Sequence, residues 1–187
     1  MDWNRTAEET LSVLHFVLGT LRPRIEEMAA VLRQCISSGG KVLICGNGGS
    51  AADAQHFAAE LVNRFMRDRR PYPAIALTTD TSVLTSIAND YGYEHVFSKQ
   101  VRALGRTGDI LVAISTSGNA ANVCRAVEAA RDMGLRSFGL TGGSGGRLSG
   151  LVDVSLCVSP VSTVARIQEG HELIIHLVCQ LVEEGLE

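Results

Sequence analysis

Several features that would point to particular protein classes are missing from this sequence. No run of about eighteen consecutive apolar residues occurs, and the first residues do not place a cationic segment before an apolar one, so neither a membrane span nor a secretory signal is predicted. The five cysteines never form a CxxC pair, which argues against a cysteine zinc site and favours reduced thiols in a reducing compartment. We therefore expect a cytoplasmic protein without a membrane partner.

The charged residues show no excess of positive charge that would indicate a nucleic acid partner. Seventeen Lys and Arg residues stand against twenty Asp and Glu residues, for a formal net charge of −3, whereas nucleic-acid-binding domains carry a clear basic patch. Linkers are missing as well, because no stretch rich in Pro, Gly or Ser divides the 187 residues. A chain of this length can build one sizeable core, so we expect a single domain over residues 1–187.

Apolar runs that alternate with helical patterns make up most of the sequence. Apolar residues recur at helical spacing in two leading segments, 6–18 and 23–37. Strands are predicted at 42–45, 74–77, 110–114, 137–140 and 152–158, and further helices at 51–66, 81–87, 94–104, 120–133 and 161–184. This alternation favours a parallel, doubly wound sheet. The prediction is an α/β protein, with a helical pair (1–38) before a three-layer core (39–187) built on a five-stranded parallel sheet.

The segment 41–60 carries the strongest functional pattern. Gly46, Gly48 and Gly49 directly follow the first predicted strand, and a glycine-rich turn allows backbone N–H groups to point at a bound anion. Ser50 stands where the N-cap of the next helix is expected. The N-terminus of that helix adds partial positive charge, so a phosphate or carboxylate is the natural ligand.

A second polar loop follows the third predicted strand. Its sequence is Ser115-Thr116-Ser117-Gly118-Asn119, and such a run before a helix is consistent with anion binding or with ordinary helix capping. The carboxyl ends of parallel strands meet at one edge of the sheet, where ligands bind. The two loops together therefore predict a cradle for one phosphate group, with a third glycine-containing turn, 141–146, at the same edge.

A nicotinamide-binding site is an alternative interpretation of the first loop. Gly46-x-Gly48-x-x-Ala51 satisfies a loose dinucleotide fingerprint, and Asp80 would be the ribose-binding acid. That acid lies thirty-four residues after Gly46, whereas the fingerprint expects about twenty. The alternative is therefore weaker, and a P-loop is excluded because no Gly-Lys-Ser/Thr follows the glycines.

Polar residues on two predicted helices add acid, base and metal-binding groups. His56 and Glu60 are four residues apart and lie on one helix face. The last helix offers Gln168, His171 and His176. Gln168 and His176 are about 12 Å apart along the helix axis, so a shared metal ion requires their side chains to lean together. From spacing alone, a metal pair, an acid/base pair and ordinary polar helix residues are all open for His56 and Glu60.

These motifs together resemble those of the sugar isomerase (SIS) family, in particular its phosphoheptose isomerase branch. The matching segments are Cys45-Gly-Asn-Gly-Gly-Ser-Ala-Ala-Asp-Ala-Gln-His56, Ser86-Ile-Ala-Asn-Asp-Tyr-Gly-Tyr-Glu94, Ile114-Ser-Thr-Ser-Gly-Asn119 and Ala165-Arg-Ile-Gln-Glu-Gly-His171, followed by His176. The resemblance covers nearly the whole chain. It implies the flavodoxin-like SIS fold and a homotetramer in which the helical pair 1–38 takes part in assembly, with active sites between subunits.

The resemblance also implies an activity and the residues that perform it. The reaction is the isomerisation of D-sedoheptulose 7-phosphate to D-glycero-D-manno-heptose 7-phosphate through a cis-enediol, which supplies heptose for lipopolysaccharide and other surface glycans. Glu60 and His176 are the implied acid/base pair. The implied substrate-binding residues are Asn47, Gly48, Gly49, Ser50, Glu60, Asn89, Asp90, Ser115, Thr116, Ser117 and Gln168.

One zinc ion per subunit is implied as the cofactor. Its ligands would be His56, Glu60, Gln168 and His176, and a set of two nitrogen and two oxygen donors is acceptable for zinc. A carboxylate or imidazole that binds a metal does not serve freely as a base. The metal-binding and catalytic roles therefore compete at Glu60 and His176.

Two positions depart from the family pattern. Ala120 stands where the branch usually has a further phosphate-contacting serine, and Ala165 stands where some members carry an aspartate. The main alternative function is a non-catalytic SIS tetramer that binds the bacterial replication initiator DnaA, and the presence of His176 argues against it. A sugar-phosphate-sensing regulatory domain is a further alternative, although the leading helices lack basic character.

Overall fold

The computed structural model of this chain describes residues 1–186, with a sheet of five parallel strands at its centre. The strands are β1 (Val42–Gly46), β2 (Ala74–Ala76), β3 (Ile110–Ser115), β4 (Arg136–Gly142) and β5 (Val154–Val158). Their order across the sheet is β2-β1-β3-β4-β5, and every neighbouring pair is parallel. The predicted α/β class and the doubly wound sheet are confirmed. Glu187, the last residue of the predicted domain, lies outside the described residues.

Eight α-helices accompany the sheet within residues 1–186. They are α1 (Trp3–Gly19), α2 (Arg22–Ser37), α3 (Gly49–Val62), α4 (Thr81–Tyr91), α5 (Val96–Leu104), α6 (Ala121–Asp132), α7 (Gly146–Ser149) and α8 (Val164–Gly185). A short 3₁₀ turn, Tyr93–His95, lies between α4 and α5. The structure therefore contains the seven predicted helical segments and adds α7, which begins at the end of the predicted turn 141–146.

The sheet separates two apolar cores, because successive side chains of a strand point to opposite faces. Val42 and Ile44 of β1 join the core built with α1, α2, α3 and α8. Leu43 and Cys45 join the second core, to which α5, α6 and α7 contribute. All five side chains of β1 are buried, as expected for a parallel strand covered on both faces. The predicted three-layer arrangement is confirmed.

The predicted start and end of α3 are wrong. The N-cap is Gly48, with a φ of 56° and no side-chain cap, so Ser50 lies buried in the first helical turn and is not the cap. Glycine adopts this positive φ without a steric penalty, and the chain therefore enters the helix earlier than predicted. At the other end the helix stops at Val62, not at 66, because a carboxylate from α8 binds the backbone that follows.

A buried ion pair fixes the amino ends of β1 and β3. Asp109, which is 3% exposed, accepts hydrogen bonds from the backbone N–H of Lys41 and of Arg106 and also binds the Lys41 ammonium. Such a pair is stable only when its charges are well hydrogen-bonded. It supports the register in which Gly46 lies beside Ile114, so the loops that follow these strands are neighbours.

No helix within residues 1–186 is long and apolar enough to cross a membrane. The five cysteines are free thiols, and only Cys157 is not fully buried.

His171 lies inside the core near the carboxyl end of β4. Its side chain is fully buried, with Nε2 3.0 Å from the carbonyl oxygen of Thr141. Burial lowers the pKa of His171 to about 4, although the contact with Thr141 opposes that shift. The folded protein therefore holds this imidazole neutral, while in the unfolded chain it titrates near its ordinary pKa.

We expect His171 to weaken the folded state in acid. Because its pKa is lower in the folded state, the stability that it contributes is present above about pH 6.5 and is lost as the pH falls toward 4. Between pH 7 and pH 5 this loss is about 2 kcal/mol. Urea unfolding at both pH values should show a smaller loss in His171→Asn than in the wild type. His15→Asn, which changes an exposed histidine, should behave like the wild type, and equal losses in all three proteins would contradict the prediction.

Candidate active site

The two polar loops lie side by side at the carboxyl edge of the sheet. They follow β1 and β3, which are adjacent in the sheet. The side-chain amides of Asn47 and Asn122 exchange two hydrogen bonds of 2.9 Å, and the Tyr93 hydroxyl donates to Asn47 Oδ1 at 3.2 Å. These bonds join the first loop to the start of α6. Asn122 and Tyr93 were not predicted as site residues, although Tyr93 lies in a matching segment and Asn122 follows another closely.

The second loop borders a small cavity that has hydroxyl groups in its lining. Thr116 and Ser117 line a space of about 260 Å³ together with Gly142, Gly143, Ser144, Ser162, Val164 and Ile167. Ser115 is largely buried at the end of β3. The loop is closed by α7, because the N–H of Arg147 donates to Asn119 Oδ1 and the N–H of Leu148 donates to the Gly118 carbonyl. The third glycine turn and α7 therefore hold the second loop in place through these hydrogen bonds.

Helices α3 and α8 bring the predicted catalytic groups together. His56 Nε2 on α3 lies 3.0 Å from His176 Nε2 on α8. Glu60 Oε1 lies 3.5 Å from His56 Nε2. Near the start of both helices, the Gln168 side chain covers Gly49 so closely that a Cβ at this glycine would lie 2.0 Å from Gln168 Nε2. Gly49 therefore leaves room for Gln168, which lies against the first loop.

Two acidic residues that were not predicted as site residues lie beside the histidines. Glu172 Oε2 is 3.6 Å from His56 Nε2 and 3.9 Å from His176 Nε2. Asp53 is 6% exposed, and its Oδ2 atom has no hydrogen-bond donor among the described residues. Burial and the neighbouring Glu172 carboxyl raise the pKa of Asp53 to about 7. The helical spacing Gln168, Glu172, His176 is the sequence signal that would have identified Glu172, because residues four apart share a helix face.

Asn89 and Asp90 are exposed at the end of α4, apart from the histidines. The Asn89 amide donates to Asp90 Oδ1 at 2.8 Å. Tyr93, which is four residues after Asn89 and three after Asp90, connects this part of the chain to the site because it contacts Asn47. The role of the two residues in substrate binding stays a prediction.

The group formed by His56, Glu172 and His176 has the composition of a metal site. One possible ligand atom from each residue lies within 4.8 Å of the other two. Two imidazole nitrogens and a carboxylate oxygen fit a catalytic zinc centre, which takes three protein ligands and keeps one position open. Glu60 and Gln168, which the resemblance also implies as ligands, are on the same two helices, but Glu60 approaches only His56 closely.

A buried carboxylate holds the segment that follows α3. Glu183 on α8 accepts hydrogen bonds from the N–H groups of Phe65, Met66 and Arg67 at 3.1, 2.8 and 2.9 Å, and from Arg69 Nε at 3.1 Å. Burial alone would raise the pKa of Glu183, but these hydrogen bonds and the Arg69 charge lower it overall.

Arg69 completes the connection between the end of α3 and the site. Its guanidinium donates to the carbonyl oxygens of Glu60 and Leu61 at 2.8 and 2.9 Å. The segment then places the Phe65 ring 5.7 Å from the His176 ring. Glu183 thus fixes both the last turn of α3 and the aromatic neighbour of His176.

Comparison with models of protein families identifies the family of this chain. Residues 7–142 match the SIS domain family model, and the chain belongs to this family. The predicted resemblance is thereby confirmed.

Several relatives with high sequence identity are named as one type of enzyme. The chain is 53% identical over 169 residues to a phosphoheptose isomerase from Rhodospirillum rubrum, covering 90% of this chain and 89% of that protein. The phosphoheptose isomerase GmhA from Neisseria gonorrhoeae matches with a TM-score of 0.87 and 48% identity, covering 97% of this chain and 96% of that one. A phosphoheptose isomerase from Francisella tularensis matches with a TM-score of 0.92 and 42% identity at the same coverage.

We expect Glu183→Gln to destabilise the protein by about 2 kcal/mol. The buried carboxylate accepts four hydrogen bonds, and the amide that replaces it has only one oxygen that can accept. Urea unfolding measures the change. Glu184→Gln is the matched control, because Glu184 is exposed and its carboxylate accepts only from Gln180 among the described residues. Equal stability of the two variants would contradict the prediction.

Proposed function

We propose that this chain is an aldose–ketose isomerase that converts D-sedoheptulose 7-phosphate to D-glycero-D-manno-heptose 7-phosphate. The observation that carries the proposal is the position of His56 Nε2, which lies 3.0 Å from His176 Nε2 and 3.5 Å from Glu60 Oε1, beside two loops rich in glycine and hydroxyl groups. The extended similarity to phosphoheptose isomerases supports the same substrate. The product would supply heptose for lipopolysaccharide and other surface glycans.

The reaction requires a proton to move between C1 and C2 of the sugar. In our proposal Glu60 and His176 remove and return protons at carbon and oxygen, so that the ketose and the aldose interconvert through a cis-enediol. Both groups lie near His56, and positioned acid/base groups contribute about 10²- to 10⁴-fold in rate. The hydroxyl groups of Ser115, Thr116 and Ser117 would hold the phosphate at the end of the sheet.

The first loop would bind the substrate mainly through its backbone. The Asn47 amide is engaged by Asn122 and Tyr93, which fixes the course of the loop through Gly48, Gly49 and Ser50. Backbone N–H groups at a helix N-terminus are well suited to an anion. Gln168, which covers Gly49, would contact the part of the sugar next to the phosphate.

Zinc is the metal that we propose for the site, with His56 and His176 as its nitrogen ligands and oxygen ligands from among Glu60, Gln168 and Glu172. The donor types fit zinc, and the short distances between the donor atoms support a common ion. When bound, zinc would supply Lewis-acid polarisation of the substrate carbonyl. The five free thiols are consistent with a cytoplasmic location, which stays part of the proposal.

Proton exchange in D₂O tests the isomerase directly. With sedoheptulose 7-phosphate, NMR should detect an aldose heptose phosphate with deuterium at C2, and Glu60→Gln and His176→Gln should lower the rate by about 10²- to 10⁴-fold. Asp132→Asn, at the exposed end of α6, should retain the wild-type rate. No turnover by the wild type, with and without added zinc, would instead favour the non-catalytic, DnaA-binding alternative.

We also propose that the chain forms a homotetramer through the helical pair 1–38. Leu11 and Leu18 of α1 are 53% and 51% exposed although both are large and apolar, which supports their burial against another subunit. Light scattering should give a mass of four times the 20.0 kDa chain. The double variant Leu11→Glu, Leu18→Glu should give a lower mass, because buried charge opposes association. A monomeric wild type would contradict this assignment.

A further inference from the structure

The side-chain amide of Asn122 is buried at the start of α6, where it contacts the first loop. Its Oδ1 atom accepts the N–H of Val123 and the amide of Asn47, both at 2.9 Å, and its Nδ2 atom donates to Asn47 Oδ1 at 2.9 Å. A side-chain amide can present either its oxygen or its nitrogen to a neighbour. The backbone N–H of Val123 removes that choice, because it can only donate and therefore requires the Asn122 oxygen. The backbone of α6 thus fixes the orientation of the Asn122 amide.

The fixed Asn122 amide determines in turn how the Asn47 amide is oriented. Asn122 offers one acceptor and one donor, so Asn47 must place its nitrogen and its oxygen opposite them. The Tyr93 hydroxyl donates to the same Asn47 Oδ1 at 3.2 Å, which agrees with this orientation. Asn47 Oδ1 therefore accepts two hydrogen bonds, and both of its lone pairs are used. One Nδ2 hydrogen is used by Asn122, and the other has no partner among residues 1–186.

The second Nδ2 hydrogen of Asn47 is available to a ligand. Two paired amides use the oxygen and the hydrogen on one edge of each group, so this hydrogen points away from Asn122. Asn47 is only partly buried and directly follows the carboxyl end of β1, and ligands bind at that edge of a parallel sheet. A group that can only donate selects an oxygen acceptor, such as a phosphate or hydroxyl oxygen. This N–H would add to the backbone N–H groups of the first loop.

We propose that Asn122 and Tyr93 are positioning residues, which hold the Asn47 amide so that its free N–H faces the substrate. The inference rests on the proposed function for the identity of that substrate, a sugar phosphate with many acceptor oxygens. A donor that is already oriented improves binding, because it does not have to be ordered when the ligand arrives. The ion pair between Glu94 and Arg125, at 2.8 Å, supports the arrangement because it also attaches the turn that carries Tyr93 to α6.

A double-mutant cycle on ligand binding tests the inference. The probe is the polyol phosphate made by borohydride reduction of sedoheptulose 7-phosphate, which has no carbonyl group and cannot be isomerised. Calorimetry gives its Kd with the full-length protein. Asn47→Ala should weaken binding by about 10-fold, the effect of losing one hydrogen bond to a charged group. Asn122→Ala should weaken it by a similar factor, and the double variant should bind no more weakly than Asn47→Ala, because Asn122 acts through Asn47.

Tyr93→Phe tests the same idea without changing a buried residue. Tyr93 is 60% exposed, so the loss of its hydroxyl leaves the fold intact. Binding should weaken by about 3-fold, as for a neutral hydrogen bond, and the substitution should have no effect in the Asn47→Ala background.

Ser137→Ala is the matched control for the loss of a buried hydrogen bond. The Ser137 hydroxyl is buried near the amino end of β4, at the opposite edge of the sheet, and donates to Asp153 at 2.8 Å. This variant should be less stable in urea and should bind the probe with the Kd of the wild type.

Three results would overturn the inference. Effects of Asn47→Ala and Asn122→Ala that multiply in the double variant would show that Asn122 acts independently of Asn47. Wild-type affinity in both Asn122→Ala and Tyr93→Phe would show that the Asn47 amide does not need these residues. An equal loss of affinity in Ser137→Ala would assign the effect to general destabilisation. A wild type that binds the probe but does not isomerise sedoheptulose 7-phosphate would contradict the proposed function and leave this inference intact.

Discussion

The packing of α3 against α8 is the constraint on which the site depends. The two helices run side by side in the same direction, with Gly49 opposite Gln168 near their starts and His56 opposite His176 about two turns further on. Both helices bury apolar side chains in the same core. A slip of one residue along the axis would displace the facing groups by about 1.5 Å. That displacement would be enough to separate His56 from His176.

Glu183, near the C-terminal end of α8, opposes such a slip of one helix along the other. It belongs to α8 but binds the backbone just after α3, while Arg69 joins it to the carbonyl oxygens of the last α3 turn. The cost of burying these charges is offset because every donor and acceptor in the cluster has a partner with good geometry. The site is therefore positioned by a polar connection at one end and by the close contact of Gln168 with Gly49 at the other.

The sequence predicted the layout better than the details of the site. The apolar runs located the strands because parallel strands are buried on both faces, and the order of loops and helices followed from that. The cap at Ser50 was wrong because the positive φ of Gly48 is a property of the folded backbone. The end of α3 was wrong because it is set by Glu183, more than a hundred residues away in the chain. No local pattern contains a contact over that separation.

Glu172 was overlooked for a different reason. Its spacing from His176 is visible in the sequence, but a glutamate on a helix is ordinarily a solvent-facing residue. Only the approach of α3 from the other side adds a second histidine neighbour, His56, and a buried carboxyl partner, Asp53. Pairwise spacing on one helix cannot predict a site that two helices share.

The two departures from the family pattern can be interpreted in the same geometry. Ala120 is the N-cap of α6 and provides no side-chain cap, but Asn122 Oδ1 accepts the Val123 N–H in that first turn. The nearby cavity still has the hydroxyl groups of Ser144 and Ser162 beside those of Thr116 and Ser117. A phosphate there would therefore keep hydroxyl donors despite the missing serine.

Ala165 borders the open cleft along α8 that Gln168, Glu172 and His176 also line. Position 165 has no acidic side chain, whereas Glu172, about two turns further along α8, lies against the histidines. A charge at Glu172 attracts a cation between His56 and His176, whereas a charge at 165 would lie closer to the anionic phosphate. Ala165 thus leaves the phosphate end of the cleft with one possible acidic side chain fewer, and Glu169, which also lines the cleft one turn further on, is paired with Arg166.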